Sequence, residues 1–535
     1  MSTLAGTGGL VRLILRRDRL LLPLWVLLLG LLPVYQAAAI DQLYATPAAL
    51  RQLYDTVVGT PGLLALLGPL FGATLGAITT WRAGLVLTIV GLASLLTVIR
   101  HTRADEEAGR RELLGATVVG RNAPLTAVLL VTFVADLVLG AVVASGMVGL
   151  GLPATSSVAY GLSVAAAGWM LAAVGALAAQ LTEGAGGARG IGLGALGLAY
   201  VLRAAGDTGG QGGGLGWLSW LSPIGWAQQT RPYAGERWWV FALAVAFVIV
   251  LAAAAFALLA RRDVGAGVLA ARLGPATAAP SLRSPVALAW RLHRGMLLGW
   301  TVGLAVMAGV IGSVADSVNG MASGNAQLKD LLERLGGEKV LSDAYIAGAM
   351  VIFALAAAAY AIQATLRLRT EEEGLRAEPV LATSVGRLRW ATSHLLFGLL
   401  GPTVALVAAG LAEGLVYGLV SGDVGRELPR VLAGALVQLP AVLVLAGIAM
   451  ALFGLLPRLA SVSWAALAVF AFLVLLGPLM QLSQWVLDLA PFSHIPKVPG
   501  ADVSALPLAW LLAVTAVLVA AGLAGFRRRD LVSSA

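Results

Sequence analysis

Residues 103–121 read RADEEAGRRELLGATVVGR, and residues 369–387 read RTEEEGLRAEPVLATSVGR. Aligned at an offset of 266, ten of the nineteen positions are identical, among them Glu106/Glu372, Glu107/Glu373, Arg110/Arg376, Glu112/Glu378 and the closing Ala-Thr-x-Val-Gly-Arg. Both stretches follow a long apolar run, in a chain of which only 12% of residues are charged. Other landmarks keep nearly the same spacing. ARRD at 260–263 matches RRRD at 527–530, Pro223 in LSPIGW matches Pro491 in LAPFSH, and Trp25 matches Trp300. The chain therefore reads as two fused copies of one unit, 1–260 and 291–535, joined by a linker at 261–290 rich in Ala, Pro and Ser.

Composition supplies the solvent. The 535 residues are 59% hydrophobic with a mean hydropathy of +0.88, against about 45–50% apolar and about 25% charged for a soluble domain. Apolar runs long enough to cross a bilayer as helices recur along the chain. The short alternating strands of an outer-membrane barrel are missing. The expected fold is an all-α polytopic membrane protein of about twelve spans. The first six lie near 20–40, 82–101, 123–149, 157–181, 189–206 and 238–260. The second six lie near 295–317, 345–366, 392–420, 430–455, 461–482 and 507–526. Six spans per copy is an even number, so the repeat is parallel, with a pseudo-twofold axis along the membrane normal. Residues 41–81, with Asp41, Pro47, Arg51, Asp55, Pro61 and Pro69, read as an outer helical loop; an additional span at 62–80 would give odd parity.

The N-terminal stretch LVRLILRRDRLLLPLW is not a cleavable signal peptide. Arg12, Arg16 and Arg19 fall along one side of a helix with leucines opposite, the pattern of a helix lying in the interface. With both termini cytoplasmic, 25 of the 36 Lys and Arg fall on the cytoplasmic side, as the positive-inside rule requires. The formal charge of +9 then faces anionic lipid and needs no nucleic-acid partner. The location implied is the plasma membrane.

Several chemistries are excluded. There is no cysteine, hence no disulfide, thiolate metal site or cysteine nucleophile. His101, His293, His394 and His494 are scattered without ligand spacing and read as interfacial or solvated side chains. No G-x-x-x-x-G-K-[ST] occurs, and Lys329, Lys339 and Lys497 all fall in outer segments.

The doubled charged stretch sits in the first cytoplasmic loop of each copy. On one continuous helix Glu106–Arg110, Glu107–Arg111 and Glu372–Arg376 are i,i+4 pairs in the favourable order. Matching charges at pseudo-symmetric positions suit two matching sockets on a dimeric cytoplasmic partner. R-x-D/E-E-E-x-G-R-x-E-L-L after span two, closing in V-x-R, resembles the permeases of ATP-binding-cassette exporters of the ABC-2 type (type V exporters). It is most similar to the fused twelve-span antibiotic or multidrug exporter permeases, the tetronasin-exporter-like group. The resemblance covers nearly the whole chain. It implies a permease subunit that moves amphipathic or hydrophobic drug-like molecules out of the cell. Two copies of a separate ATPase would carry ATP and Mg; no cofactor belongs to this chain, and it is not itself an enzyme. The coupling residues it implies are Arg103, Asp105, Glu106, Glu107, Arg110, Glu112 and Arg121, then Arg369, Glu371, Glu372, Glu373, Arg376, Glu378 and Arg387. The second copy departs from the motif with Leu375 in place of Gly109 and Pro379 in place of Leu113.

Further candidates are the intramembrane acids Asp136 and Glu413, for proton relay or cation binding; they are not repeat-related. Trp217, Trp220, Pro223, Trp226, Trp485, Pro491 and Phe492 precede the sixth spans, either as an interfacial aromatic belt or, by the resemblance, as half-helices forming an outer gate. Trp25, Tyr35, Phe353, Tyr360 and Trp464 are candidates for a substrate path. Gly190-x-x-x-Gly194 suits close helix packing. The alternative readings are an ion-coupled secondary multidrug transporter and a membrane-embedded lipid or glycan transferase.

Overall fold

The computed structural model describes residues 2–530 except 45, 60, 116, 210–213, 270–275, 316–338, 476, 478–481, 497 and 499–503. Lys329 and Lys497 lie outside the described residues. Among the described residues there are helices and no strands, and eleven helices are long and apolar enough to cross a membrane. The chain divides into two compact units, Met1–Gly274 and Pro275–Ala535, whose boundary falls within the expected linker at 261–290.

Unit one opens with α1 (Thr7–Arg17), which buries Leu10 and Ile14 and exposes Arg12 and Arg16. Asp18 closes it, so Arg19 lies past its end rather than on its basic face. The spans are α2 (Leu21–Leu43), α6 (Gly84–His101), α9 (Ala123–Gly149), α10 (Ala154–Leu181), α11 (Ala185–Gly209) and α13 (Trp239–Arg261). Between the first two lie α3 (Pro47–Val58), α4 (Pro61–Leu67) and α5 (Leu75–Arg82). The residues at 62–80 form no span: α4 and α5 have seven and eight residues, and a bilayer needs about 20.

Helix α10 is the hub of this unit, packed against α6, α9, α11 and α13. Its Ala, Gly and Ser residues let neighbours approach, which is how helices associate where lipid offers no hydrophobic gain. A Cβ on Gly140 of α9 or Gly161 of α10 would fall on the other's carbonyl oxygen. The expected packing motif Gly190-x-x-x-Gly194 behaves otherwise. Both glycines face open space, and it is Gly192 that meets Leu95 of α6.

Unit two contains α14 (Pro285–Ala315), α15 (Lys339–Thr365), α16 (Arg367–Glu373), α17 (Ala377–Leu381), α18 (Arg387–Ser421), α19 (Val424–Val437), α20 (Leu439–Leu455), α21 (Val462–Leu475), α22 (Gln484–Leu487) and α23 (Ala505–Arg528). The expected span at 430–455 lies in the helical stretch Val424–Leu455, one of the eleven, which a turn at Gln438 two residues before Pro440 divides into α19 and α20, the proline ring and missing N–H interrupting the helix. Helix α21 is the one expected span that is short, at fourteen residues; the end of the expected 461–482 lies partly outside the described residues. The core is built from Ala, Leu, Met and Phe of α15, α18 and α20, Phe353 and Ala357 among them.

Candidate functional site

The charged loop of unit one is a helical hairpin. Thr102 ends α6 with a kink, α7 (Arg103–Glu107) follows, Gly109 turns the chain at φ 70°, and α8 (Arg110–Gly115) leads away. Unit two repeats it with α16, a turn at Gly374–Leu375, and α17; Leu375 takes φ 55° where the first copy has glycine. The turn overturns the pairing expected for a single helix. Glu106 does not meet Arg110, Glu107 does not meet Arg111, and Glu372 does not meet Arg376. Instead Arg110 reaches back five residues to Asp105 at 2.6 Å, and Arg376 reaches back five to Glu371 at 2.9 Å.

Of the acids freed by the turn, Glu106 and Glu372 point inward. The Glu106 side chain is 1% exposed. Its two oxygens accept from both terminal nitrogens of Arg262 at 2.9 Å each, and from the Gly265 N–H at 2.8 Å. Arg103 and Arg111 stand at 3.2 and 3.4 Å. In unit two Glu372 accepts from both terminal nitrogens of Arg529, at 2.8 and 2.6 Å. Arg262 follows span α13 and Arg529 follows span α23. Each unit thus fastens the loop after its second span to the end of its sixth by a bidentate carboxylate–guanidinium pair, the geometry that fixes orientation best. A second strap runs beside it. Arg121 donates to the Leu259 and Arg262 carbonyls, and its repeat partner Arg387 donates to the Arg529 carbonyl at 2.7 Å. Burial lowers the Arg111 guanidinium below its ordinary value, with Glu106 opposing and Arg262 reinforcing the shift.

Around this shared clamp the copies differ. Arg103 is buried and donates to the Ala179 and Ala266 carbonyls, whereas Arg369 makes an i,i+4 pair with Glu373 at 2.6 Å. Glu107 accepts from the Ala185 N–H at the start of α11, where an acid suits the helix dipole. Asp105 holds Arg17 of α1 at 2.7 Å, and Asp18 meets His101 at 2.6 Å and Arg100 at 3.1 Å. The interfacial helix is thereby tied to the loop. The exposed charged residues are Glu107, Arg110, Glu112 and Arg121 in one copy, Glu373, Arg376 and Glu378 in the other.

The remaining candidates do not converge. Asp136 is buried, takes a hydrogen bond from Ser94 at 2.7 Å and packs against Gly168. Glu413 is buried in unit two where Gly312 packs against its backbone. Phe353 and Tyr360 are interior side chains, at 1% and 0% exposure, while Tyr35 is 68% exposed. Trp25 packs partly buried on the core of unit one and Trp464 is exposed. The segment before α13 is a 3-10 turn (Gly216–Leu221) and α12 (Pro223–Gln229), broken at Ser222–Pro223. Trp220 stacks on Trp239 at 5.5 Å, Trp226 donates to the Trp220 carbonyl and meets Phe247 edge-on, and Trp217 is exposed. In unit two α22 precedes a 3-10 turn holding Pro491 and Phe492, both buried, with Trp485 exposed. Three histidines depart from the solvated reading: His101 is buried against Asp18, and His293 and His394 are buried 3.1 Å apart. Among the described residues no cluster of metal ligands occurs.

Two members of the clamp, Arg262 and Arg529, were absent from the expected site, although ARRD and RRRD mark them at matched repeat positions. Also missed was Arg203, 1% exposed on α11, which with Tyr200 holds the Ala65 and Leu66 carbonyls at the end of α4.

Residues 282–527 match the family model for the C-terminal domain of the multidrug efflux system permease Rv1217c. The chain is 47% identical over 530 residues to the multidrug efflux system permease protein Rv1217c of Mycobacterium tuberculosis (strain ATCC 25618 / H37Rv), covering 99% of this chain and 96% of the relative.

Proposed function

The chain belongs to the family of the multidrug efflux system permease Rv1217c, a permease subunit of a drug exporter, and on that premise we propose that it is the membrane half of an ATP-driven exporter of the ABC-2 type, in its fused twelve-span, tetronasin-exporter-like group. Two copies of a separate cytoplasmic ATPase carry ATP and Mg and dock beneath the two charged hairpins. The cargo is amphipathic or hydrophobic, and the chain lies in the plasma membrane with both termini cytoplasmic. The observation that carries this reading is the doubled clamp. Each hairpin is fastened to the end of a sixth span, so a push on its exposed side is transmitted to a membrane helix rather than absorbed by a loose loop.

Burial and exposure assign the residues their parts in this reading. Glu106 and Glu372 are interior, so they transmit; Arg110, Glu112, Arg376 and Glu378 are exposed, so they meet the partner. The test is to reverse charge at Arg110 and Arg376 together in the permease co-purified with its ATPase. Drug-stimulated hydrolysis is expected to fall at least tenfold while the permease keeps its melting temperature. Unchanged stimulation, or drug movement driven by an ion gradient with no ATPase present, overturns the proposal.

A further inference from the structure

Beside the clamp of unit one the structure has a cavity of about 390 Å³ between the start of α9 and the end of α13, within the range of small-ligand sites. Arg111, Arg121, Arg262 and Asp263 line it, with Pro124 and Leu259 as its apolar wall. Glu106 completes the local charge through Arg262 and Arg111. Three guanidinium groups and one carboxylate, Asp263, line the cavity, and Glu106 is shared with a fourth guanidinium, Arg103, at 3.2 Å, so the site stays net positive. Arg121 engages carbonyls through Nε and one terminal nitrogen, and Arg111 reaches Glu106 only at 3.4 Å.

A second, narrower cavity shares Arg111, Pro124 and Leu259 with the first. On one side Leu10, Leu13 and Ile14 of α1 face Leu125 and Val128 of α9, while His101, Thr102, Asp105 and Gln180 line the other. The interfacial helix forms that wall because the chain before it is strapped to the approach to α9. The Gly120 N–H donates to the Ala5 carbonyl and the Asn122 N–H to the Thr3 carbonyl. The basic mouth thus adjoins a small cleft of about 60 Å³, apolar on the α1 side, at the edge of the membrane-crossing helices.

Unit two has a cavity between the same pair of spans but on other helix faces: Arg387 and Arg529, the counterparts of Arg121 and Arg262, do not line it. It holds about 650 Å³, with Arg527 and Arg528 at the mouth and Leu388 and Leu523 beside them. Neither arginine has a hydrogen bond or ion pair to another described residue, and no acid lines the cavity.

We propose that each unit binds one anionic phospholipid at the junction of its third and sixth spans, the phosphodiester on Arg111 and Arg121 or on Arg527 and Arg528, and an acyl chain along the adjoining apolar surface. The net positive charge in unit one suits an anionic phosphodiester. A soluble phosphate has the same charge but no use for the cleft beside α1, which is why the lipid is the ligand. Basic pockets between membrane helices on the cytoplasmic side are suited to such headgroups. The inference rests on the proposed orientation only for which leaflet supplies the lipid. Its consequence is that bulk anionic lipid bears on the clamp: the headgroup would sit against Arg262, the residue that Glu106 holds.

The test is native mass spectrometry of the full chain in detergent, titrated with phosphatidylglycerol, phosphatidylcholine or inorganic phosphate. Two phosphatidylglycerols are expected per chain, each held at least about fivefold more tightly than phosphatidylcholine. Arg111→Gln with Arg121→Gln should weaken one site by about fivefold per arginine. Those two residues also brace the fold, so Arg527→Gln with Arg528→Gln is the cleaner arm, weakening the other site with no change in melting temperature. Equal retention of phosphatidylcholine, binding unchanged in both pairs of variants, or displacement of lipid by inorganic phosphate overturns the proposal. Detergent solution has no sides and needs no ATPase, so an error in the orientation or in the energy source leaves this measurement intact.

Discussion

Replacing Glu106 by alanine is expected to destabilise the first unit by about 3–5 kcal/mol, the usual cost of removing one partner from a buried ion pair. The structure says why the cost falls at that level. The carboxylate receives three hydrogen bonds from Arg262 and Gly265, and its loss strands Arg262 at 4% and Arg103 at 0% side-chain exposure. The penalty is mostly that of uncompensated buried cations. Removing both partners of the bidentate pair in Glu106→Leu with Arg262→Met should therefore cost less than the two single changes summed, with a coupling energy of at least about 2 kcal/mol. In unit two Arg529 is 13% exposed and keeps the Phe453 and Phe526 rings beneath it, so Glu372→Ala should cost about 1–3 kcal/mol. Unfolding of the purified chain in mixed micelles with increasing dodecyl sulfate, read by tryptophan fluorescence, supplies the four corners of each cycle. Coupling below about 0.5 kcal/mol between Glu106 and Arg262 would mean that the two residues are independent, and the transmission argument would fail with it.

The hairpin turns make a matched pair of tests: Leu375→Gly should stabilise by about 1 kcal/mol, because only glycine takes φ 55° without strain, and Gly109→Ala at φ 70° should cost a similar amount in the same unfolding assay. Gly168→Ala places a methyl on the Asp136 carboxyl, so a loss of about 1–3 kcal/mol is expected; Asp136→Ala in the same chain should restore most of it, and no restoration would mean that the collision is not the cause. Arg203→Ala leaves the carbonyls at the end of α4 without their cation, and proteolysis within 45–75 is expected to accelerate severalfold while the spans stay intact.

The all-α membrane class was legible in residues alone, while of about twelve spans expected eleven helices among the described residues are long and apolar enough to cross. An apolar run of bilayer length has one outcome in lipid, because every backbone group must be satisfied within the segment. The charged loops were legible as important and as repeated. Their pairing was not, since i,i+4 reasoning assumes that the helix continues, and Gly109 and Leu375 end it. The histidines misled for a related reason: His293 and His394 are 101 positions apart in the chain and meet only because α14 packs on α18.

The sequence by itself determined that 106 and 372 are equivalent, and that 262 and 529 are equivalent, because identity at a nearly constant offset survives without any coordinates. Tertiary structure alone decided that the first set grips the second. Some 156 residues and four spans separate Glu106 from Arg262, and no local rule reaches that far. Which helix ends return to the same face, and in which rotation, is settled by the packing of small residues such as Gly140 and Gly161. Only that packing turns a charged stretch of chain into an acid buried against its arginine.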